Sequence, residues 1–286
     1  MLFHEPTTLN CNGTLLDLTR PQVMGILNVT PDSFFDGNLY KTKEASLLQV
    51  EKMLTDGAAI IDIGAASSRP GAATVSVDEE LRRLLPIIDA ILQRFPEVIL
   101  SCDTYHAKVA AETIEHGIKI INDISGGQFD DNLWSTVAKY NVPYILMHIQ
   151  GNPQNMQQSP DYDNVVHDVL NYMIFKIEKL RALGIKDIIA DVGFGFGKTL
   201  DHNYELLQNL HIFKMLEVPI LTGISRKSMI YKFLDTTPEF ALNGTTALHV
   251  IALQKGSKIL RVHDVKEALE TIKLMEELKR FDGKKS

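Results

Sequence analysis

Eight times along the chain a short, nearly unbroken apolar run ends in polar residues and gives way to a stretch with helical periodicity. The runs are VMGILNVT from Val23, AIIDIGA from Ala59, VILSCDT from Val98, KIINDIS from Lys119, PYILMHI from Pro143, IIADVG from Ile188, PILTGIS from Pro219 and KILRVHD from Lys258. Runs without apolar/polar alternation suit parallel strands covered on both faces. Between them, Asp78 to Arg94, Tyr162 to Leu183 and Val265 to Lys279 carry apolar residues three and four apart, the spacing of helices with one buried face. Strand followed by helix, repeated eight times, predicts an α/β protein built as a (β/α)8 TIM barrel. A doubly wound sheet is the runner-up, but near-equal units with no change of pattern favour closure. Asn12-Gly13 between two short apolar runs predicts a small hairpin within about residues 1–20 that caps the barrel bottom. The basic stretch from Lys279 to Ser286 reads as a frayed end. No Pro/Ser-rich linker interrupts the pattern, so the 286 residues read as a single domain.

In such barrels the chemistry sits where the strands end. Here those ends carry Asn28, Asp62, Asp103, Asn122 with Asp123, His148, Asp191, Ser225 with Arg226 and Lys227, and Arg261 with His263. Any one of them would more often cap a helix or close a turn. At eight ends together, a shared site is the better account. Asn and Asp offer donors and acceptors suited to the edge of a flat heterocycle, and Arg261, His263, Lys227 and Asn28 offer donors for an anion, with Arg suited to bidentate phosphate contact.

A net charge of -7 argues against a general nucleic-acid binder, which needs an excess of Lys and Arg. The two cysteines, Cys11 and Cys102, have neither disulfide-framework nor zinc-site spacing, and Cys102 reads as a buried, inert strand residue. With no long apolar run and no basic-then-apolar leader, the expectation is a cytoplasmic protein without a membrane partner.

The stretch DVGFGFGKT from Asp191 looks like a phosphate loop, but Val192 stands where the first glycine is required, and the strictly alternating Gly193, Gly195 and Gly197 fail the dinucleotide fingerprint too. Such a loop lets backbone approach a ligand closely while Phe194 or Phe196 offers an aromatic face; at least one of the two is expected to be core. GISRK at 223–227 is not a nucleophile elbow, and His148, His202 and His263 lack zinc-ligand spacing.

Taken together, MGILNVTPDSFFDG (24–37), SSRPGA (67–72), CDTY (102–105), INDISGG (121–127), LMH followed by QGNPQNMQ (146–157), DVGFGFGK (191–198), SRKSMI (225–230) and RVHDVKE (261–267) resemble the dihydropteroate synthase family. The resemblance runs from Gln22 nearly to the end and implies the same barrel. It implies that p-aminobenzoate is joined to 6-hydroxymethyl-7,8-dihydropterin diphosphate, giving dihydropteroate and pyrophosphate. Carried onto this sequence, Asp103, Asn122, Met147, Asp191 and Lys227 would hold the pterin, while Asn28, Arg261 and His263 would hold the diphosphate, Asn28 also lying near Mg²⁺. Ser68, Arg69, Pro70, Phe196, Ser225 and Lys227 would form the p-aminobenzoate pocket. Asn28, Asp103, Lys227, Arg261 and His263 would carry the catalysis. The loops near Pro31–Asn38 and Ala65–Val75 would close over the substrates, and the family is commonly homodimeric.

The chain departs from the family pattern where many members have Gly-Glu and it has Ala65-Ala66, at Ser68 for Thr, and at Val192 for Pro. These changes surround the p-aminobenzoate pocket and predict an altered response to sulfonamides. Two rivals remain on sequence alone. A pterin-dependent methyltransferase domain would share the pterin-reading residues but have no use for the diphosphate set. A non-catalytic pterin or phosphate binding protein would keep the site without turnover.

Overall fold

The computed structural model describes residues 6–29, 39–66, 75–156, 158 and 160–281, with backbone alone at 39–42. The hairpin forms from β1 (Thr8–Cys11) and β2 (Thr14–Asp17), antiparallel, with Leu9 opposite Leu16. Its turn has left-handed backbone at both central residues, φ 50° at Asn12 and 86° at Gly13, the conformation that joins twisted strands through two residues and that Asn-Gly tolerates.

The eight apolar runs become β3 (Gln22–Asn28), β4 (Ile60–Gly64), β5 (Ile99–Asp103), β6 (Ile120–Asp123), β7 (Tyr144–Met147), β8 (Ile188–Asp191), β9 (Ile220–Thr222) and β10 (Ile259–Val262). Each pairs in parallel with its neighbours, and β10 closes on β3 to complete a barrel. Around it run α1 (Leu39–Thr55), α2 (Val77–Arg94), α3 (Ala107–Glu115), α4 (Leu133–Tyr140), α5 (Val165–Ala182), α6 (Leu200–Gln208), α7 (Ser228–Tyr231), α8 (Leu242–Gln254) and α9 (Val265–Lys279). Local chemistry sets the helix starts. Ser76 caps α2 ahead of Asp78, Glu79 and Glu80, where anionic side chains meet the positive helix end. Asn164 accepts from the His167 backbone N–H, so α5 begins at Val165 rather than at Tyr162. The stretch from Lys279 continues only to Phe281 within the described residues.

Side chains on a strand alternate between its two faces, and in a closed barrel one face is the interior. One residue from each strand, Met24, Ile60, Ile99, Ile120, Ile145, Ile189, Leu221 and Ile259, meets the hairpin's Leu9, Cys11, Leu16 and Leu18 in a single buried cluster. The hairpin therefore plugs the bottom of the barrel. The opposite parity, including Val23, Leu27, Ile61, Ile63, Leu100, Cys102, Ile121, Tyr144, Leu146, Ile188 and Leu260, packs against the helices in the large outer core.

Moving two residues up the interior face from the apolar layer reaches Ile26, Asp62, Ser101, Asn122, Met147, Asp191, Gly223 and Arg261. Two further along β3 and β5 stand Asn28 and Asp103, and His263 stands just past the end of β10. The same alternation that seals the bottom with hydrocarbon thus lines the mouth with polar groups.

Candidate active site

Arg261, rising from β10, spans the mouth. Its Nε donates to Asp62 Oδ2 at 2.6 Å and its Nη2 to Asp103 Oδ2 at 2.9 Å, while Asn122 Nδ2 donates to the same Asp62 oxygen at 2.9 Å. Asp103 and Asn122 are register partners on neighbouring strands, as are Met147 and Asp191. Burial pushes the Asp103 carboxyl up to about 7 against the pull of Arg261, with the Asp62 carboxylate beside it adding to the rise. Burial works against the Arg261 cation as well, but Asp62 and Asp103 outweigh it and hold its pKa above the ordinary value.

On the other side of the mouth, Asp191 is buried and its carboxyl is raised by desolvation, with Lys227 opposing the rise; Oδ1 accepts from Gly193 N at 2.8 Å. Lys227 donates to the carbonyl of Phe194 at 2.6 Å, and its ammonium lies 4.6 Å from the centre of the Phe196 ring. Burial lowers its pKa to about 8, against the attraction of Asp191. These groups converge on Gly223, where an added Cβ would stand 3.8 Å from Asp191 Oδ2 and 3.9 Å from both Lys227 Nζ and Arg261 Cβ. The result is a polar mouth in which acids and cations alternate, walled on one side by Met147 and Phe196 in an apolar cluster with Ile124, Ile149 and Met156. That combination suits a flat, hydrogen-bonding ring carrying an anionic group.

A family model described as pterin binding enzyme matches residues 24–263. Dihydropteroate synthase of Escherichia coli strain K12 is 46% identical over 270 residues, covering 94% of this chain and 95% of that protein. The crystal structure of Yersinia pestis dihydropteroate synthase with a sulfonamide drug complex superposes with a TM-score of 0.90 at 45% identity, covering 96% of this chain and 99% of that one. The Xanthomonas albilineans dihydropteroate synthase in complex with 7,8-dihydropteroate superposes at 0.85 with 35% identity, covering 95% and 98%. The chain belongs to the dihydropteroate synthases.

Of the residues expected from the family pattern, Asp103, Asn122, Met147, Asp191, Lys227, Phe196 and Arg261 meet in or around the mouth. Asn28 is exposed at the end of β3, beside Gly64 of β4. His263 is open to solvent on one side, yet desolvation and then Arg261 push it down to about 4, so the ring is neutral at pH 7. Ser225 is buried and committed to that ring: its hydroxyl lies 3.2 Å from Nδ1 and accepts from the His263 backbone N–H at 3.2 Å. Ser68, Arg69 and Pro70, and with them most of the two loops expected to close, lie outside the described residues.

Several polar strand ends do not reach the mouth. Asp123 has the outward parity and is spent on Tyr144 OH at 2.6 Å and on the backbone N–H groups of Ser125 and Gly127. Arg226 grips Asp264 with two bonds of 2.7 Å and the carbonyls of Pro238 and Glu239. Phe194 is wholly buried in the outer core, leaving Phe196 as the aromatic that faces the site. Cys102 is buried, its thiol raised well above the ordinary value by desolvation.

Two buried charged residues at the mouth or beside it had no role assigned from sequence. Asp62, fully buried, ties Arg261 to Asn122; the signal was an acid interrupting AIIDIGA in phase with the inward residues. Lys198, also buried, closes the glycine motif, and nothing in the sequence says what its charge meets.

Proposed function

We propose a division of labour among the mouth residues for the family reaction, the transfer of a pterinylmethyl group from its diphosphate to p-aminobenzoate. Asp103, Asn122 and Asp191 hold the edge of the pterin, Met147 lies beside the ring, and Lys227 bonds to it. Asn28, Arg261 and His263 hold the diphosphate. Ser68, Arg69, Pro70, Phe196, Ser225 and Lys227 surround p-aminobenzoate, with Ser225 acting by steadying His263. The observation that carries this reading is the convergence of Asp103, Asn122, Asp191 and Arg261 from the inward positions of four strands, joined by Lys227 from the turn after β9, with Asp191, Lys227 and Arg261 meeting around Gly223.

The amine nitrogen of p-aminobenzoate forms a C–N bond with the pterin methylene as the C–O bond to the diphosphate breaks, and the amine then gives up a proton. Positive charge on the methylene and negative charge on the leaving group both grow on the way. Arg261 is already fixed in the mouth, so it meets the developing anion without reorganisation. An arylamine is neutral at pH 7 and needs placement more than activation, which is the work of the pocket walls.

A magnesium ion fits this donor set as a companion of the substrate. Among the described residues no group of three acidic, His or Cys side chains is placed to hold a metal, and Asn28 offers one hard amide oxygen; Mg²⁺ is commonly shared between few protein oxygens and substrate phosphates. When bound it would neutralise charge on the leaving diphosphate. We also propose a homodimer, supported by the exposed Leu274, Leu278 and Phe281 at the end of the chain, and a cytoplasmic location, supported by two free buried cysteines. No helix among the described residues is long and apolar enough to cross a membrane.

The test is pyrophosphate release from the dihydropterin diphosphate with Mg²⁺, with and without p-aminobenzoate, for the wild type and Asp103→Asn. Release that requires p-aminobenzoate and falls by about 30-fold or more in the variant, the worth of a charge-assisted hydrogen bond, supports the assignment. Undiminished turnover in Asp103→Asn overturns the role given to Asp103.

A further inference from the structure

The glycine motif imitates a phosphate loop in sequence and reverses it in structure. A phosphate loop turns backbone N–H groups toward an anion. Here the carbonyls of Gly193 and Phe196 and the Nδ1 of His148 turn toward the ammonium of Lys198, at 2.9, 3.0 and 2.9 Å, with the His148 carbonyl farther off at 3.4 Å. An ammonium has three N–H bonds, and the three close acceptors use them all. Lys198 is 2% exposed and sealed inside the loop it terminates; burial lowers its pKa to about 7 against the attraction of Asp191, so the ammonium form this acceptor set matches is the one present below about pH 7.

The alternating glycines make this possible. Gly193, Gly195 and Gly197 have φ of 71°, 82° and 63°, values that side-chain-bearing residues rarely adopt. A Cβ at Gly193 would stand 1.9 Å from the carbonyl oxygen of His148, and one at Gly197 2.4 Å from that of Gln150. The loop is thus pressed backbone to backbone against the segment leaving β7, and the ammonium fills the space where the carbonyls of both would otherwise face one another. Asn203 fixes the outer side by accepting from Gly195 N at 2.7 Å.

The face turned to the mouth carries Phe196 and the Phe194 carbonyl that receives Lys227. We propose that Lys198 is a positioning residue: it holds the glycine loop in the one shape that presents Phe196 and aims Lys227, and so sets the p-aminobenzoate pocket without touching substrate. This rests on the assignment of Phe196 and Lys227 to that pocket. His148 is its counterpart, a neutral ring whose Nδ1 lone pair faces the ammonium and whose proton is therefore on Nε2. Burial and then Lys198 itself hold the His148 pKa well below its usual value, in keeping with an unprotonated acceptor.

The experiment compares Lys198→Met, which keeps the length and loses the donors, with Lys198→Arg, Phe196→Ala and the wild type. Steady-state pyrophosphate release is measured against each substrate, and the His148 ring nitrogens are followed by ¹⁵N NMR. The expected result in Lys198→Met is a KM for p-aminobenzoate raised by about 30-fold, the scale of one charged hydrogen-bonding group, with the KM for the pterin diphosphate changed far less. Ethylamine added to Lys198→Ala is expected to recover part of that loss. Wild-type His148 is expected as the Nε2–H tautomer alone, and as a mixture in Lys198→Met. An unchanged KM for p-aminobenzoate in folded Lys198→Met, or a wild-type ring protonated at Nδ1, overturns the proposal. Should Lys198→Met not fold, the wild-type tautomer and the same KM split in Lys198→Arg decide. If Phe196→Ala leaves the KM for p-aminobenzoate unchanged, the pocket assignment is what has failed, and the tautomer still reports on the contact between Lys198 and His148.

Discussion

Replacing Arg261 with Met removes the cation that bonds both Asp62 and Asp103. Asp62 would keep a single hydrogen bond, from Asn122, in a place with no access to solvent, and Asp103 would lose its only direct cationic partner among the described residues. Orphaning a buried charge costs about 3–5 kcal/mol. Because Arg261 and Asp103 keep 18% and 17% of their side-chain surface, water softens the loss at Asp103, and the lower end applies. About 3 kcal/mol corresponds to a fall in Tm of about 6 °C in a chain of this size. The deficit depends on pH with a definite sign. Asp103 already has a folded pKa above its unfolded one, and losing Arg261 raises it further. Such a group favours the folded state below its unfolded pKa, and that contribution disappears as pH rises through the folded value. The Asp103 share of the difference between variant and wild type is therefore small at about pH 5.5 and large at about pH 8.5, so the total deficit grows with pH. Urea unfolding at both pH values measures it, with Arg261→Met/Asp62→Asn as the companion, expected to recover about half of the loss at the higher pH because the charge left behind is gone. An equal deficit at both pH values, or no recovery in the double variant, would refute the account of the mouth as a cation shared by two buried acids.

Three further outcomes are expected. Gly193→Ala, with its Cβ driven into the His148 carbonyl, should cost more than about 3 kcal/mol in urea unfolding, whereas Gly13→Ala, also left-handed but with nothing within 4 Å, should cost only about 1–2 kcal/mol; equal costs would show that backbone angle alone, not packing, decides both. The kcat/KM for p-aminobenzoate should fall as pH rises through about 8, where Lys227 gives up its proton, and that limb should vanish in Lys227→Met; a limb at the same pH in the variant assigns it elsewhere. Restoring the common family residues with Ala66→Glu and Ser68→Thr should change sulfonamide inhibition constants, and unchanged constants would remove those two positions as the cause of any altered sensitivity.

Much of the architecture was legible because its signals are local. Unbroken apolar runs report strands covered on both faces, three-and-four spacing reports helices, and Asn12-Gly13 reports a hairpin; β3 to β10 and α9 lie where these patterns put them. The α5 start shifted because a single cap, Asn164, outweighs the apolar periodicity upstream of it. The polar strand ends were visible as a group, but adjacent members were not separable. Asn122 and Asp123 read alike in the chain, and only the phase of β6 within the closed barrel sends one to Asp62 and the other to Tyr144.

What the sequence by itself determined is the repeating unit and the chemical character of its ends, since backbone preference and hydrophobic phase act over a few residues. The tertiary structure alone decided which ends speak to each other. Arg261 meets Asp62 across 199 positions of chain, and Lys198 meets His148 across 50. Charges buried that deeply take the partners that closure of the barrel delivers, because in a dry interior an unmatched charge costs more than any local preference can return.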